Sequence, residues 1–317
     1  MLPDSYELVV NPPQKMWEEI VTQIHDELSW KMSFHDYQCY LDGYGTENFK
    51  FLVAIDKATG KPASCICGAL FPKQNGSPQL YTIGMYYTHP ELRASGLGLG
   101  RILFDELTKI ANGTNRFLNA APVMAKKYAE RSGFDQFSPW SLVAIVAQAK
   151  DCDISKIDVF PDVSVVDLNG VELEELDEYD RSVGGGISRI EFLQRWLTQD
   201  DSFNKFAINE VGNVVGYCNA RIVCGNHVVL GPFYADSADI ASSLMRHTLE
   251  SVPDFLSRNQ LVAYISSENK AGMEMFKKMV NGEVNTDRLM PRQFDKQIID
   301  SSGDKVYAIT ETDTSFI

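Results

Sequence analysis

Apolar residues recur along this chain with two spacings. Met16, Ile20, Ile24 and Leu28 stand four apart, which places them on one helical face and predicts a helix over Gln14–Leu28. Pro12 and Pro13 stop the apolar run before it, Tyr6–Val10, which has the length of a strand. Residues 30–48 show no single period. Trp30, Phe34, Tyr37, Tyr40 and Leu41 are scattered among polar positions, and Gly43 and Gly45 close the segment. Residues 49–55 and Pro62–Phe71 flank a turn, Asp56-Lys57-Ala58-Thr59-Gly60, and predict a hairpin. A second turn at Asn75-Gly76-Ser77-Pro78 leads to a third strand over 80–87. Helical spacing returns over 97–110, and 115–120 has strand character. Pro122 opens a helix over 123–132, Gly133 ends it, and 141–147 is strand-like again.

Residues 150–156 are polar and carry no apolar period, the mark of a linker. Beyond them the order of elements starts over. Strand character at 163–168 is followed by helices at 173–181 and Ile190–Leu197, with a Gly-rich break at 182–188. Strands follow at 206–209, Val214–Val223 and 228–233, then a helix at 238–249. A strand at 261–266, a helix at 271–279 and a last strand at 304–311 complete the series. The repeat is one of architecture rather than of residues. The predicted class is α+β, a mixed but mostly antiparallel sheet flanked by helices. The predicted division is residues 1–149, a linker at 150–160, and a second domain at 161–317.

The stretch between strand 80–87 and helix 97–110 carries the clearest chemistry. Arg93, Gly96 and Gly98 follow the pattern Arg-x-x-Gly-x-Gly. Glycines let the backbone turn tightly with its N–H groups converging, here at a helix start where the dipole favours an anion. A pyrophosphate cradle is the chemistry this predicts. A Walker loop is excluded, because Gly100 is followed by Arg101 and Ile102 rather than Lys and Ser or Thr. A dinucleotide fold fits poorly too. Residues 90–95 separate strand from glycines, and the next strand ends near Asn119 rather than at an acid.

Composition narrows the partners. The chain of 317 residues has 43 acidic and 29 basic side chains, a net charge of −14, which argues against nucleic acid. No apolar run approaches the length of a membrane span, and the start of the chain lacks the pattern of a signal peptide. Six cysteines, with Cys65 and Cys67 on one face of a strand, form no metal-ligand pattern. They predict free, mostly buried thiols and a cytoplasmic location.

Residues 88–98, Thr-His-Pro-Glu-Leu-Arg-Ala-Ser-Gly-Leu-Gly, resemble the central motif of the GNAT superfamily, the acetyl-CoA-dependent N-acetyltransferases. Asn119, Lys127, Gly133 and Phe134 resemble that family's following strand, short helix and Gly-Phe pair. The resemblance implies a fold in which strands 80–87 and 115–120 splay apart to take the pantetheine arm. It implies acetyl-CoA contacts from Tyr86, Tyr87, Thr88, Arg93, Ala94, Ser95, Gly96, Leu97, Gly98 and Asn119. The family often places a proton-donating Tyr five residues before the Phe of Gly-Phe, which here is Ala129. Tyr128 stands one position earlier, about 100° around the helix, and is the candidate acid, although a core aromatic explains it equally well. His89 is a candidate proton acceptor, with Tyr86, Tyr87, Glu91, His35, Asp36 and Asp42 as alternatives.

The second half resembles the YitH-type C-terminal acetyltransferase domain of two-domain GNAT members. Tyr179-Asp180-Arg181, Phe192-Leu193-x-x-Trp196-Leu197, Val215-Gly216-Tyr217 and residues 231–236, Gly-Pro-Phe-Tyr-Ala-Asp, carry the likeness, with Glu268-Asn269-x-Ala271 beyond them. The cradle is missing there. Residues 235–239 read Ala-Asp-Ser-Ala-Asp, and Asp236 and Asp239 would cap a helix while repelling a pyrophosphate. Phe276 stands at the phenol position. Arg181, Arg189 and Asp236 are candidates for a second site or for an internal ion pair.

The implied activity is transfer of acetyl from acetyl-CoA, a cosubstrate, to a primary amine by direct attack, in the first domain and without a metal. The alternative is a GNAT-fold acyl-CoA-binding or sensing protein without turnover. A small amine is the favoured acceptor over a protein, with neither nucleic acid nor membrane as partner.

Overall fold

The structure is a computed structural model that describes residues 1–73, 78–281, 284 and 289–317. The turn expected at Asn75, Gly76 and Ser77 lies outside the described residues. The first half runs β1 (Tyr6–Val10), α1 (Gln14–Leu28), α2 (Asp36–Tyr44), β2 (Phe49–Asp56), β3 (Pro62–Phe71) and β4 (Leu80–Thr88). A single turn α3 (Pro90–Arg93), α4 (Leu99–Ile110), β5 (Asn115–Asn119), α5 (Pro122–Ser132) and β6 (Gln136–Gln148) follow. The second half runs β7 (Ser164–Val166), α6 (Leu173–Val183), α7 (Ile190–Leu197), β8 (Ser202–Ile208), β9 (Val214–Val223) and β10 (His227–Ala235). Then come α8 (Ala238–Ser251), β11 (Gln260–Ser266), α9 (Lys270–Met279), β12 (Leu289–Phe294) and β13 (Val306–Ala308).

The mixed, mostly antiparallel sheet flanked by helices is present as expected. Among the described residues it is continuous through both halves, in the order β1-β2-β3-β4-β5-β12-β6-β11-β10-β9-β8-β7, with β13 paired to β10. The centre is an exchange. Strand β12, from the second half, lies between β5 and β6 of the first. Strand β6 in turn pairs with β11 over seven residues. Each half thus completes its sheet with a strand that the other half supplies.

Helix α1 buries Trp17, Ile20, Val21 and Ile24. The Trp17 indole donates to Ser33 O at 3.1 Å and stacks on Tyr37 at 5.5 Å. The aperiodic segment 30–48 holds α2, two of whose buried tyrosines, Tyr40 and Tyr44, face across the halves. Tyr44 stacks on Phe192 of α7 at 4.6 Å, and Tyr40 on Trp196 at 6.2 Å. A Cβ at Gly43 would lie 2.6 Å from the Phe192 Cα, so α2 and α7 touch at backbone distance. Trp17, Phe49, Phe192, Trp196, Tyr217 and Phe316 all belong to one core cluster spanning both halves. Each such side chain stabilises the assembly by about 1.5–3 kcal/mol through burial. All six thiols are unpaired, five of them buried, with Cys65 and Cys67 in that cluster.

Several boundaries differ from expectation. Helix 97–110 begins at Leu99, because Gly98 adopts a left-handed conformation (φ 64°) that closes the turn. Strand 141–147 extends back to Gln136 through Pro139, where β12 pairs with it. The last strand, expected over 304–311, is confined to Val306–Ala308.

Candidate functional site

Strands β4 and β5 run parallel and pair only at Leu80↔Asn115, Tyr81↔Arg116 and Thr82↔Phe117. Beyond Thr82 they part. The cause is visible on β4, where the pairing to β3 slips between Cys65 and Cys67. Met85 takes φ 49° at that bulge, which bends the strand away. Past Thr82 this edge of β4 has no partner in β5, the kind of edge at which an extended ligand can add as a strand. The gap opens into a cavity of about 1200 Å³ that runs from the start of α4, past Asn119 and Tyr128, to the junction of the halves.

The glycine turn stands at one end of this cavity. Gly96 and Gly98 have φ 79° and 64°, and a Cβ at either would meet nothing, so the space beyond them is open. No side chain caps α4. Its first N–H groups are left for an anion, as at other helix starts. Gly100 lets this end of α4 close on β4, since a Cβ there would lie 2.7 Å from the Thr88 hydroxyl and 2.9 Å from the Tyr86 hydroxyl. Ala94, Ser95 and Gly96 are exposed, Leu97 is half-buried, and Ser95 Oγ donates to Leu92 O at 2.8 Å. Arg93 turns toward α1. Its guanidinium pairs with Glu27 at 2.6 Å and donates to Thr88 O at 2.8 Å. The Tyr87 hydroxyl donates to the same Glu27 at 2.7 Å.

Asn119 lies on the cavity wall, and its buried Oδ1 has no hydrogen-bond partner. Such an atom, an open cradle and an unpaired strand edge fit an acyl-CoA, whose arm carries amide donors. Lys127 and Tyr128 of α5 line the same wall. Tyr128 stacks on Phe104 at 5.8 Å and meets Phe134 edge-on at 6.4 Å. Burial raises its phenol above the ordinary range, so it stays protonated at neutral pH. His89 stands at the head of α3 and Glu91 within that turn, and neither belongs to the cavity wall. His35 and Asp42 also stand apart from the wall. His35 faces Asp201 at 3.5 Å, and Asp42 accepts from Gln38 at 2.8 Å.

The wall also holds residues whose partners the sequence does not reveal. Asp36, one of the candidates from sequence, is buried on α2 and pairs with Arg221 of β9 at 2.6 Å. Burial pushes its carboxyl up to about 6 against the pull of that guanidinium. Arg221 also stacks 3.9 Å above the Trp196 ring. Residues 310–313, beyond β13, line the cavity at the junction. Their sequence, Thr-Glu-Thr-Asp, carries no motif, and only the path of the chain brings them there.

The second half has the same gap, filled. Strands β10 and β11 pair in parallel only over Val228–Leu230 and Leu261–Ala263. Strand β13 then takes the vacated edge of β10 at Phe233↔Ala308 and Tyr234↔Val306. Helix α8 is capped by Ser237 rather than by either aspartate, and Asp236 pairs with Lys305 at 2.9 Å on the surface. Arg189 is an internal ion-pair member. It grips both Asp180 oxygens at 2.8 and 2.9 Å, and the Tyr217 hydroxyl donates to the same carboxylate. Arg181 faces Asp177 at 3.8 Å, and Phe276 is fully buried. Among the described residues no group of three or more His, Cys, Asp or Glu is placed to hold a metal, and no helix is long and apolar enough to cross a membrane.

Residues 177–308 match the family model of the acetyltransferase (GNAT) domain, which falls on the half without the cradle. No curated protein matches the chain. Among solved structures, a proposed acetyltransferase of Pyrococcus horikoshii superposes with a TM-score of 0.70 at 16% identity, over 99% of this chain and 98% of its own. A tandem GNAT protein from the clavulanic acid biosynthesis pathway gives 0.63 at 12%, over 91% and 98%. Saccharomyces cerevisiae N-myristoyltransferase, solved with myristoyl-CoA, gives 0.62 at 10%, over 98% and 86%. At such identities the likeness is one of fold. Residues 177–308 thus match the GNAT acetyltransferase domain family, and the whole chain has the fold of tandem GNAT proteins.

Proposed function

We propose that this chain is an acetyl-CoA-dependent N-acetyltransferase acting on a small primary amine, with its chemistry in the first half, residues 1–149. The observation that carries the reading is the contrast between the two gaps. The one between β4 and β5 is open and adjoins an empty glycine turn, whereas the one between β10 and β11 is filled by β13. Bound acetyl-CoA supplies an activated acyl carbon. Main-chain N–H groups from Ala94 to Gly98 and the start of α4 hold its pyrophosphate, and the β4 edge and Asn119 hold its arm. N–H groups of the β4 edge other than that of Met85 polarise the thioester carbonyl, and the site orients the amine against it. Tyr128, on the same cavity wall, protonates the departing thiolate in this reading. No step calls for a metal. The acidic surface and the wall at the half-to-half junction favour a cationic small molecule over nucleic acid or a membrane, and free thiols fit the cytoplasm.

Binding without turnover is the second reading. It is favoured by the seat of Tyr128 within the Phe104–Phe134 cluster. A thiol-release assay with acetyl-CoA separates the two readings. The panel holds small amines, amino acids and peptides with free N-termini. The enzyme reading predicts thiol release matched by acetylated small amine. Acetyl-CoA binding with no product from any member of the panel would favour the sensor.

A further inference from the structure

Residues 309–317 join the filled gap to the open one. Leaving β13, the Ile309 N–H donates to Tyr264 O at 3.0 Å. The chain then crosses to β4, where the Thr82 hydroxyl donates to Thr314 O at 2.5 Å. Asp313 lies against Gly84 with its backbone where a Cβ of residue 84 would stand. Phe316 packs on Phe117 at 5.0 Å, and Arg292 donates to its carbonyl at 2.9 Å. The turn between these anchors is tied together by one side chain. The Glu311 carboxylate accepts the N–H groups of Asp313, Thr314 and Ser315 together with the Thr314 hydroxyl.

This path sets Asp313 on the wall of the cavity that also holds Asn119 and Tyr128. The Met85 N–H, at the bulge where β4 leaves β5, donates to its carboxylate. Asp313 is buried, 7% exposed, and the charged groups acting on it are acidic: Glu311 on its own segment and Asp36 on α2. Tyr40 on α2 and Cys65 and Cys67 on β3 face it as neutral groups. Burial, seconded by the two carboxylates, holds its carboxyl well above the usual range. A buried carboxyl with no cation of its own costs stability. Such groups concentrate where catalysis needs a base. The raised affinity for a proton suits removal of one from an ammonium, and the ammonium's own charge favours the ionised carboxylate as it arrives.

We infer that Asp313 is the catalytic base, and that the acceptor amine meets the thioester at the junction of the halves, beneath residues 310–313. The assignment rests on the N-acetyltransferase reading above. The ammonium gives one proton to the Asp313 carboxylate. The neutral nitrogen attacks the thioester carbon, forming the C–N bond. The C–S bond breaks with its electron pair going to sulfur, and the thiolate takes the second nitrogen proton, through Tyr128 or directly. Amide and free CoA thiol result, and Asp313 returns its proton to solvent. The second half, with its own gap filled, would thereby complete the site of the first.

Two amines of similar size test this on the full-length chain: ethylamine, an ammonium ion at pH 7, and 2,2,2-trifluoroethylamine, largely neutral there. General-base removal costs about 10²–10⁴-fold in rate. Asp313→Asn should therefore slow transfer to ethylamine by about 100-fold or more, with less than about threefold effect on trifluoroethylamine and no change in acetyl-CoA affinity by calorimetry. The wild-type rate with ethylamine should rise with pH through one ionisation and then level off, whereas the variant's rate should keep rising with the fraction of neutral amine and show no such plateau. Asp313→Glu should recover part of the rate with the ionisation displaced, which also serves if the Asn variant folds poorly. Equal losses with both amines, or an unchanged pH profile, overturn the role of Asp313. Failure of the wild-type chain to bind acetyl-CoA overturns the N-acetyltransferase reading instead.

Discussion

In the proposed reaction Tyr128 serves packing and chemistry at once. Its ring is fixed between Phe104 and Phe134, while its edge reaches the cavity beside Lys127. Burial keeps the phenol protonated well past neutral pH, so the proton is present when a thiolate leaves. Tyr128→Phe keeps the ring and removes only that proton. The expected result is a fall in kcat of about tenfold to a hundredfold, toward the lower end of acid-base effects, with KM for acetyl-CoA and the urea midpoint nearly unchanged. A kcat within twofold of wild type would mean that the residue serves packing alone. The one-position offset from the family's Tyr is readable in the sequence. The seat of the hydroxyl is not, because rings from a strand, a helix and a loop, Tyr86, Phe104 and Phe134, decide it.

At the scale of elements, the gap depends on one bulge and one strap. Gly84, next to the bulge, is where residues 309–317 press on β4. Gly84→Ala would place a methyl on the Asp313 carbonyl, and overpacking of this kind costs about 1–3 kcal/mol. A lower urea midpoint together with a faster loss of activity is expected. Unchanged values would show that the strap is not held there. Legibility follows the same line. The strand–Gly-turn–helix unit around Arg93, Gly96 and Gly98 is local, and its spacing survives in one dimension. Helix α2 was hidden because its buried face is built of tyrosines whose partners, Phe192 and Trp196, lie some 150 residues away. Strand β12 was hidden by Pro291 and by the buried Arg292, which stacks 3.7 Å over Trp140 and violates any apolar alternation. Asp313 was out of reach because its significance comes from a non-local crossing of the chain.

Over the whole molecule, the two halves share one architecture and differ in what occupies a gap. Exchange of β6 and β12 ties the halves into one sheet, so neither half carries its own complete set of strands. Strand β13 stands in the second gap where the first has room for an extended ligand. Asp236 and Asp239 stand where the first half has its glycine turn, with Asp236 paired to Lys305 and Asp239 in the first turn of α8. One acyl-CoA per chain, seated in the first half, is the central claim. It is tested most directly by calorimetric titration of acetyl-CoA into the full-length chain and into Gly96→Glu. At φ 79° a side chain at residue 96 costs about 1–2 kcal/mol of backbone strain, which a chain of this size should tolerate while the new carboxylate fills the cradle. The predicted result is one site per chain in the wild type and none in the folded variant. Two sites per chain, or binding that survives the substitution, would contradict it.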